Sequence, residues 1–247
     1  MRTLMIWWII AGLTAANLLV ESNLAFAQRD EPPPGYPQSL TADLQRLLHQ
    51  LHEGPVSPEL LVRTSSTYFD LADDLLTDTL KRREAYEAGA ALAKRALELD
   101  ESNADAHFFH AMNLGSAERL HGMANAAFIL KEVMSCVRRA IELNPGHAPA
   151  LQMMGGLLIE LPWFLGGNEK KAQQYLERAV AADGNYTKAH LLLATLYRKQ
   201  GRLEYAKRHL EAVIHADQPR YRYSWERHYK PQAERMLKEW QPGTAKD

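Results

Sequence analysis

The sequence predicts an all-α fold: a solenoid of stacked helical hairpins, with insertions in the turns inside the hairpins and a C-terminal capping helix. Three observations carry this. Between residues 38 and 240 apolar residues recur at helical spacing, and no run alternates as a strand would. One pattern returns three times, in KRALELDESNADAHFFHAMNLG (94–115), RRAIELNPGHAPALQMMGGLL (138–158) and ERAVAADGNYTKAHLLLATLY (177–197). In each, a helix ends in an alanine–hydrophobic pair, a polar Asp or Asn turn follows, and a new helix begins. Finally, small residues face each other across that turn at one fixed interval: Ala96 and Ala111, Ala140 and Gly155, Ala179 and Ala194 are each fifteen residues apart.

The elements follow in order. Residues 1–27 read as an export signal: one Arg, an apolar run from Met5 to Val20, then Ala25-Phe26-Ala27, the small-x-small pattern of a cleavage site. The run is shorter than the ~20 residues that span a bilayer comfortably. A cleaved signal leaves no membrane span and places the chain in the periplasm; an uncleaved one anchors it in the inner membrane facing that space. No Cys stands near the cleavage point, so attachment through a lipobox is not available. Residues 28–56 read as a proline-rich tether, QRDEPPPGYP, and a short helix. The solenoid occupies 57–240. A first helical pair spans 58–99, and three units follow at about 104–144, 147–182 and 186–217. SWERHYKPQAERMLKEW supplies the cap that a solenoid needs at its end, and 241–247 read as a disordered tail. Asn103 and Asn168 are placed to cap helices, and Pro162 stops the helix before it.

The units differ in the length of the turn between their helices. From small residue to small residue the interval is 29 in the first unit (Ala111 to Ala140), 24 in the second (Gly155 to Ala179) and 19 in the third (Ala194 to Val213). The first two therefore carry insertions, expected to project from one edge of the solenoid.

The small-residue positions and the regular unit AHLLLATLYRKQGRLEYAKRHLEAV resemble the tetratricopeptide repeat (TPR) superfamily. More specifically, ADAHFFHAMNLG, RRAIELNPGHAPALQMMG and above all ELPWFLGGNEKKAQQYLERAV resemble the periplasmic TPR component associated with TRAP transporters, the TatT-like family. The resemblance covers roughly 80 to 217. It implies a non-enzymatic, all-helical accessory protein that works beside the solute-binding protein of such a transporter, or holds an apolar ligand in a hollow, and that assembles as a homo-oligomer such as a trimer. Two alternatives stand beside it: a general cell-envelope scaffold for protein–protein interaction, and a carrier of a small hydrophobic ligand.

Candidate binding residues come from the groove and the insertion. The first helices of the units place Asp105, Phe108 and Met112, then Gln152, Gly156 and Ile159, then Lys188, Leu191, Thr195, Arg198 and Lys199 on the concave face. That face reads as apolar at one end and basic at the other, suited to a peptide or an amphipathic anion. Pro162, Trp163, Phe164 and Leu165 either fold back over the core as a plug or line a ligand or partner contact. His107 and His110 lack a third ligand for a metal. His107 shares its repeat position with His190, so packing explains it. RYRYSWERHYK (220–230) reads as a cap with Tyr223 and Trp225 packed and the Arg residues snorkelling. No cofactor is implied, and no catalytic motif is present. A net charge of −1 gives no overall field for nucleic acid. The single cysteine, Cys136, excludes an intramolecular disulfide and reads as buried packing.

Overall fold

The computed structural model describes residues 34–121 and 123–240, with the side chains of 123–128 set aside. The export signal, residues 28–33 of the tether and the tail from 241 lie outside the described residues. The chain forms α1 (Ser39–Glu53), α2 (Pro58–Asp70) with a π-helical continuation (Leu71–Leu75), α3 (Thr79–Leu99), α4 (Ala104–His121) and α5 (Met123–Leu143). Then come α6 (Ala148–Glu160), α7 (Glu169–Ala182), α8 (Thr187–Lys199) and α9 (Leu203–Ile214). A short turn (Arg222–Ser224) and a second π-helical stretch (Trp225–Tyr229) lead into α10 (Lys230–Glu239). There is no strand among the described residues. The hairpins are α2/α3, α4/α5, α6/α7 and α8/α9, stacked in order.

Helix starts are set by local side chains. The Ser57 oxygen accepts from the Leu60 amide at 3.2 Å, and Asp78 from Lys81 at 2.9 Å. Asn103 caps α4 through Ala106, and Asn168 caps α7 through Lys171, both at 2.9 Å. Each such cap contributes about 1 kcal/mol.

The small residues sit where the repeat requires them. Ala96, Ala111, Ala140, Ala179 and Ala194 are fully buried. A Cβ on Gly155 would lie 2.6 Å from Cγ of Leu176, itself fully buried on α7. The hairpin thus closes to a distance that no side chain on Gly155 could share. His107 and His190, at the same repeat position, do the same work: each ring Nε2 donates to the carbonyl six residues earlier, Glu101 at 2.9 Å and Gly184 at 3.1 Å. The histidines staple the inter-unit turn to the next helix.

A buried polar lock joins α2, α3 and α4. The Ser65 hydroxyl donates to the Gly89 carbonyl at 2.7 Å and accepts from the Asn113 amide at 3.1 Å, while Asn113 also donates to the Phe109 carbonyl at 3.0 Å. Gly89 makes room for it, since a Cβ there would meet Asn113 at 2.6 Å.

Two expectations change here. The ten-residue insertion of the first unit does not project as a loop; it lengthens the helices. α4 and α5 run 18 and 21 residues, against 13 and 12 for α8 and α9. Its sequence, rich in Ala, Leu, Met and Glu, favours extending the helix over leaving it. Residues 34–37 are also not free tether. Pro37 is buried, and the Tyr36 hydroxyl donates to Asp74.

Candidate functional site

The solenoid curls far enough that its two ends meet. The Tyr36 ring packs edge-on against Tyr223, centroids 5.0 Å apart. Asp74, on the π-helical end of α2, lies in the field of Arg227 and His228, and Tyr229 in that of Asp73 and Asp74. Both π-helical stretches carry residues of this junction. The extra residue in such a turn re-aims side chains that a regular helix would point elsewhere, and here it brings carboxylates from one end to basic and phenolic groups from the other.

The closing segment is fixed by Arg220. Its amide donates to the Asn185 carbonyl at 3.0 Å and its guanidinium pairs with Asp183 at 3.0 Å. The next residue, Tyr221, has φ 59°, alone among the described non-glycine residues in the left-handed region. That conformation costs a bulky residue about 1–2 kcal/mol, and Arg220 holds it in place. Tyr221 thereby leans over the inner face, its ring 5.9 Å from Tyr186. Asp70 and Asp105 both act on its phenol, and Tyr186 in turn donates to Gln152 at 3.4 Å.

The result is an inner face open to solvent on which charged and phenolic groups from several helices act on one another. Lys188 shows this best. Its side chain is exposed, but the surrounding walls withhold hydration and pull its pKa below the ordinary lysine value, with Asp73 and Glu160 opposing and Arg119 adding to the fall. Burial likewise pushes the Tyr186, Tyr221 and Tyr229 phenols up and raises the Asp74 carboxyl. Lys188 forms no ion pair among the described residues. The inner wall is therefore a mixture of carboxylates, phenols and two cations, Lys188 and Arg119, that form no ion pair among the described residues.

The residues expected from the sequence divide. Phe108 and Leu191 are buried in the core and line nothing; Phe108 stacks beside His147 and Leu191 lies under the cap cluster with Trp225. The reason is packing between the helices: Phe108 sits with Val137 and Leu151 in the central core, and Leu191 with Leu210, Val213 and Trp225. Met112 and Ile159 remain half-buried along the inner wall. Arg198 is taken up by the cap, its guanidinium 4.3 Å from the Trp240 ring centroid. So the groove is not apolar at one end and basic at the other. Tyr186, Tyr221 and Tyr229 were missed as site residues. The tyrosines of 220–230 were expected only to cap the last repeat, which Trp225 does through its indole N–H to Val213 at 2.7 Å.

Trp163, Phe164 and Leu165 form a turn of 3-10 helix that stands clear of the body, 85%, 67% and 45% exposed. The plug reading fails for a backbone reason. The amides of Leu165 and Gly167 both donate to the Pro162 carbonyl and that of Asn168 to Leu158, tying the base of the turn so that its tip points outward. Gly167 passes so close that a Cβ would lie 1.8 Å from the Leu161 carbonyl oxygen, and Gly166 has φ 96°. Both positions need glycine. Cys136 is half-buried, and its thiol is pushed up by burial and by Glu132.

Against known families, residues 34–161 match the model described as regulator of microtubule dynamics protein 1-3, over half of the chain. The chain belongs to that family. Residues 166–224 match a tetratricopeptide repeat model, so the two matches meet at the Trp163 turn. Among curated relatives, regulator of microtubule dynamics protein 1 of Bos taurus is 33% identical over 186 residues, covering 66% of this chain and 56% of that protein. The Pongo abelii protein of the same name is 33% identical over 179 residues, covering 64% and 55%. The chain thus spans a little over half the length of these relatives. A thermophilic TPR protein of Thermus thermophilus shares the fold, with TM-score 0.57 and 19% identity over 76% of this chain and 89% of that one. The architecture expected from the repeat is shown. The curated relatives point elsewhere than to a TRAP transporter.

Proposed function

We propose that this family member is a non-enzymatic TPR-type scaffold that holds a segment of a partner protein in the inner hollow. The observation that carries this is Lys188: an exposed cation without an ion pair among the described residues, with Asp73, Glu160 and Arg119 acting on it from other helices. A partner carboxylate would replace the distant Asp73 and Glu160, and the phenols supply apolar surface with a polar tip. The relatives are named for regulating microtubule dynamics, and the region matched to that family supplies Asp73, Asp105 and Glu160 of this wall. A partner held there is the means by which such a role would be exercised. Titration calorimetry with short acidic and basic peptides tests the site. Acidic peptides should bind, and Lys188→Glu should abolish the heat. Preference for basic peptides, or equal binding by Lys188→Glu, overturns the assignment.

A second reading, the TRAP accessory with a homo-oligomeric assembly, rests on the ELPWFLGG insertion and the export-like N-terminus. Recovery of a TRAP solute-binding protein by crosslinking in cells supports it, and sedimentation equilibrium reads the assembly. Export belongs to either reading. A mature N-terminus at Gln28 supports cleavage into the periplasm, and an intact residue 1 supports the anchored form.

A further inference from the structure

The exposed aromatic turn belongs to a larger patch. Lys199 pairs with Glu169, and Gln200 donates to Gln173 at 2.8 Å, so the α8–α9 turn lies beside the Trp163 turn at one edge of the solenoid. That neighbouring turn adds Leu203 and Tyr205, 54% and 47% exposed. Five large apolar side chains thus share one edge, on two turns of short, tied backbone.

The same edge is basic. Lys170 and Lys171 open α7 directly after the tip, exposed and without an ion pair among the described residues. Arg202 adds a guanidinium 4.0 Å from the Tyr205 ring centroid. Against these stand Glu169, which pairs with Lys199, Glu160, which acts on Lys188, and the exposed Glu204 in the first turn of α9. Lys170, Lys171, Lys199 and Arg202 outnumber them on a chain whose net charge is −1.

The shape selects among occupants. Trp163 and Phe164 meet edge to face, 87° between planes, and both project from a convex tip. A convex tip must enter either a matching pocket or a soft apolar medium. A tryptophan–phenylalanine–leucine tip above a collar of lysines has the composition of a segment that sits at a bilayer interface: aromatic rings at headgroup depth, cations against anionic lipid. The sequence also carries the apolar run Met5–Val20 thirteen residues before the first described residue. If that run stays in a bilayer, thirteen extended residues reach about 45 Å, enough to leave the domain at the membrane surface.

We propose that the edge formed by Trp163, Phe164, Leu165, Leu203 and Tyr205, with Lys170 and Lys171, docks on an anionic lipid bilayer. This is independent of what the hollow binds. The full chain with Cys136→Ser is labelled with an environment-sensitive fluorophore at Trp163→Cys, or at Leu99→Cys on the opposite inter-unit turn. Each is mixed with vesicles of equal parts phosphatidylcholine and phosphatidylglycerol, or of phosphatidylcholine alone. The label at 163 should shift to the blue and be quenched by spin-labelled lipid with anionic vesicles, while the label at 99 stays in water. Lys170→Glu with Lys171→Glu should weaken the response roughly thirtyfold or more, at about 1 kcal/mol per basic residue at the surface. A label at 163 that stays in water beside anionic vesicles overturns the proposal. So does a blue shift that appears without vesicles as protein concentration rises, because a second copy then covers the tip.

Discussion

At the scale of the residue, two glycines with opposite fates show how closely the helices are fitted. Gly89 has no room, since the atoms in its way belong to Asn113, which is held from both sides by Ser65 and the Phe109 carbonyl. Gly89→Ala should cost about 1–3 kcal/mol despite the better helix propensity of alanine. Gly156, three helices on, would place a Cβ 3.5 Å from Gln152, an ordinary contact. Gly156→Ala should stabilise by about 0.5–1 kcal/mol. Urea denaturation of the two variants reads both signs. The His190–His209 pair adds a pH dependence. Because His190 Nε2 donates to the Gly184 carbonyl, its Nδ1 accepts from His209 Nδ1 at 2.8 Å, and the pair is held neutral. Burial and the neighbouring His190 lower His209 to about 4, and burial lowers His190. A base whose folded pKa lies below its unfolded value of about 6.5 contributes fully above that value. Stability should therefore fall as pH drops from about 6.5 towards 4, and His209→Gln should flatten this stretch of the urea midpoint against pH.

At the scale of the element, the two insertions were equally visible as extra residues but not as structure. Counting from Ala111 to Ala140 and from Gly155 to Ala179 located both. Only the second carries Pro162, Gly166 and Gly167, which force the chain to leave the helix and return. The first has no proline and no Gly-Gly pair between Ala111 and Ala140, and its extra length went into α4 and α5. A repeat interval alone does not distinguish these outcomes; a proline followed by paired glycines does. The outward aim of Trp163 was not readable either, because it depends on backbone bonds to Pro162 and Leu158 across the turn. The double substitution Trp163→Ala, Phe164→Ala should leave thermal stability within about 0.5 kcal/mol, as for exposed positions without partners. A large loss of melting temperature would mean that the tip covers core.

At the scale of the whole molecule, the repeat register gave the stacking order, the close-packed small positions and the cap. It even placed Asp105, Gln152 and Lys188 on the inner face. What it missed is the closure. Tyr36 and Asp74 lie near one end of the sequence and Tyr223 and Tyr229 near the other, and a nearest-neighbour reading of a solenoid has no reason to join them. The closure brought the tyrosines into the site, while Phe108 and Leu191, expected as groove residues, went into the helix-packing core. Tyr36→Ala with Tyr223→Ala should speed amide hydrogen exchange in α1 and in the cap together, leaving α6 and α7 unchanged. Exchange confined to one end would mean that the two ends are not coupled.

The central claim is that partners enter the inner hollow. It is tested most directly by placing a photo-crosslinking phenylalanine analogue at Tyr221, inside, or at Glu204, on the outer surface, and irradiating in cells. The account predicts protein adducts at 221 that disappear when Lys188→Glu is added, and none of the same adducts at 204. Adducts at 204 alone, or adducts at 221 that survive Lys188→Glu, would contradict it.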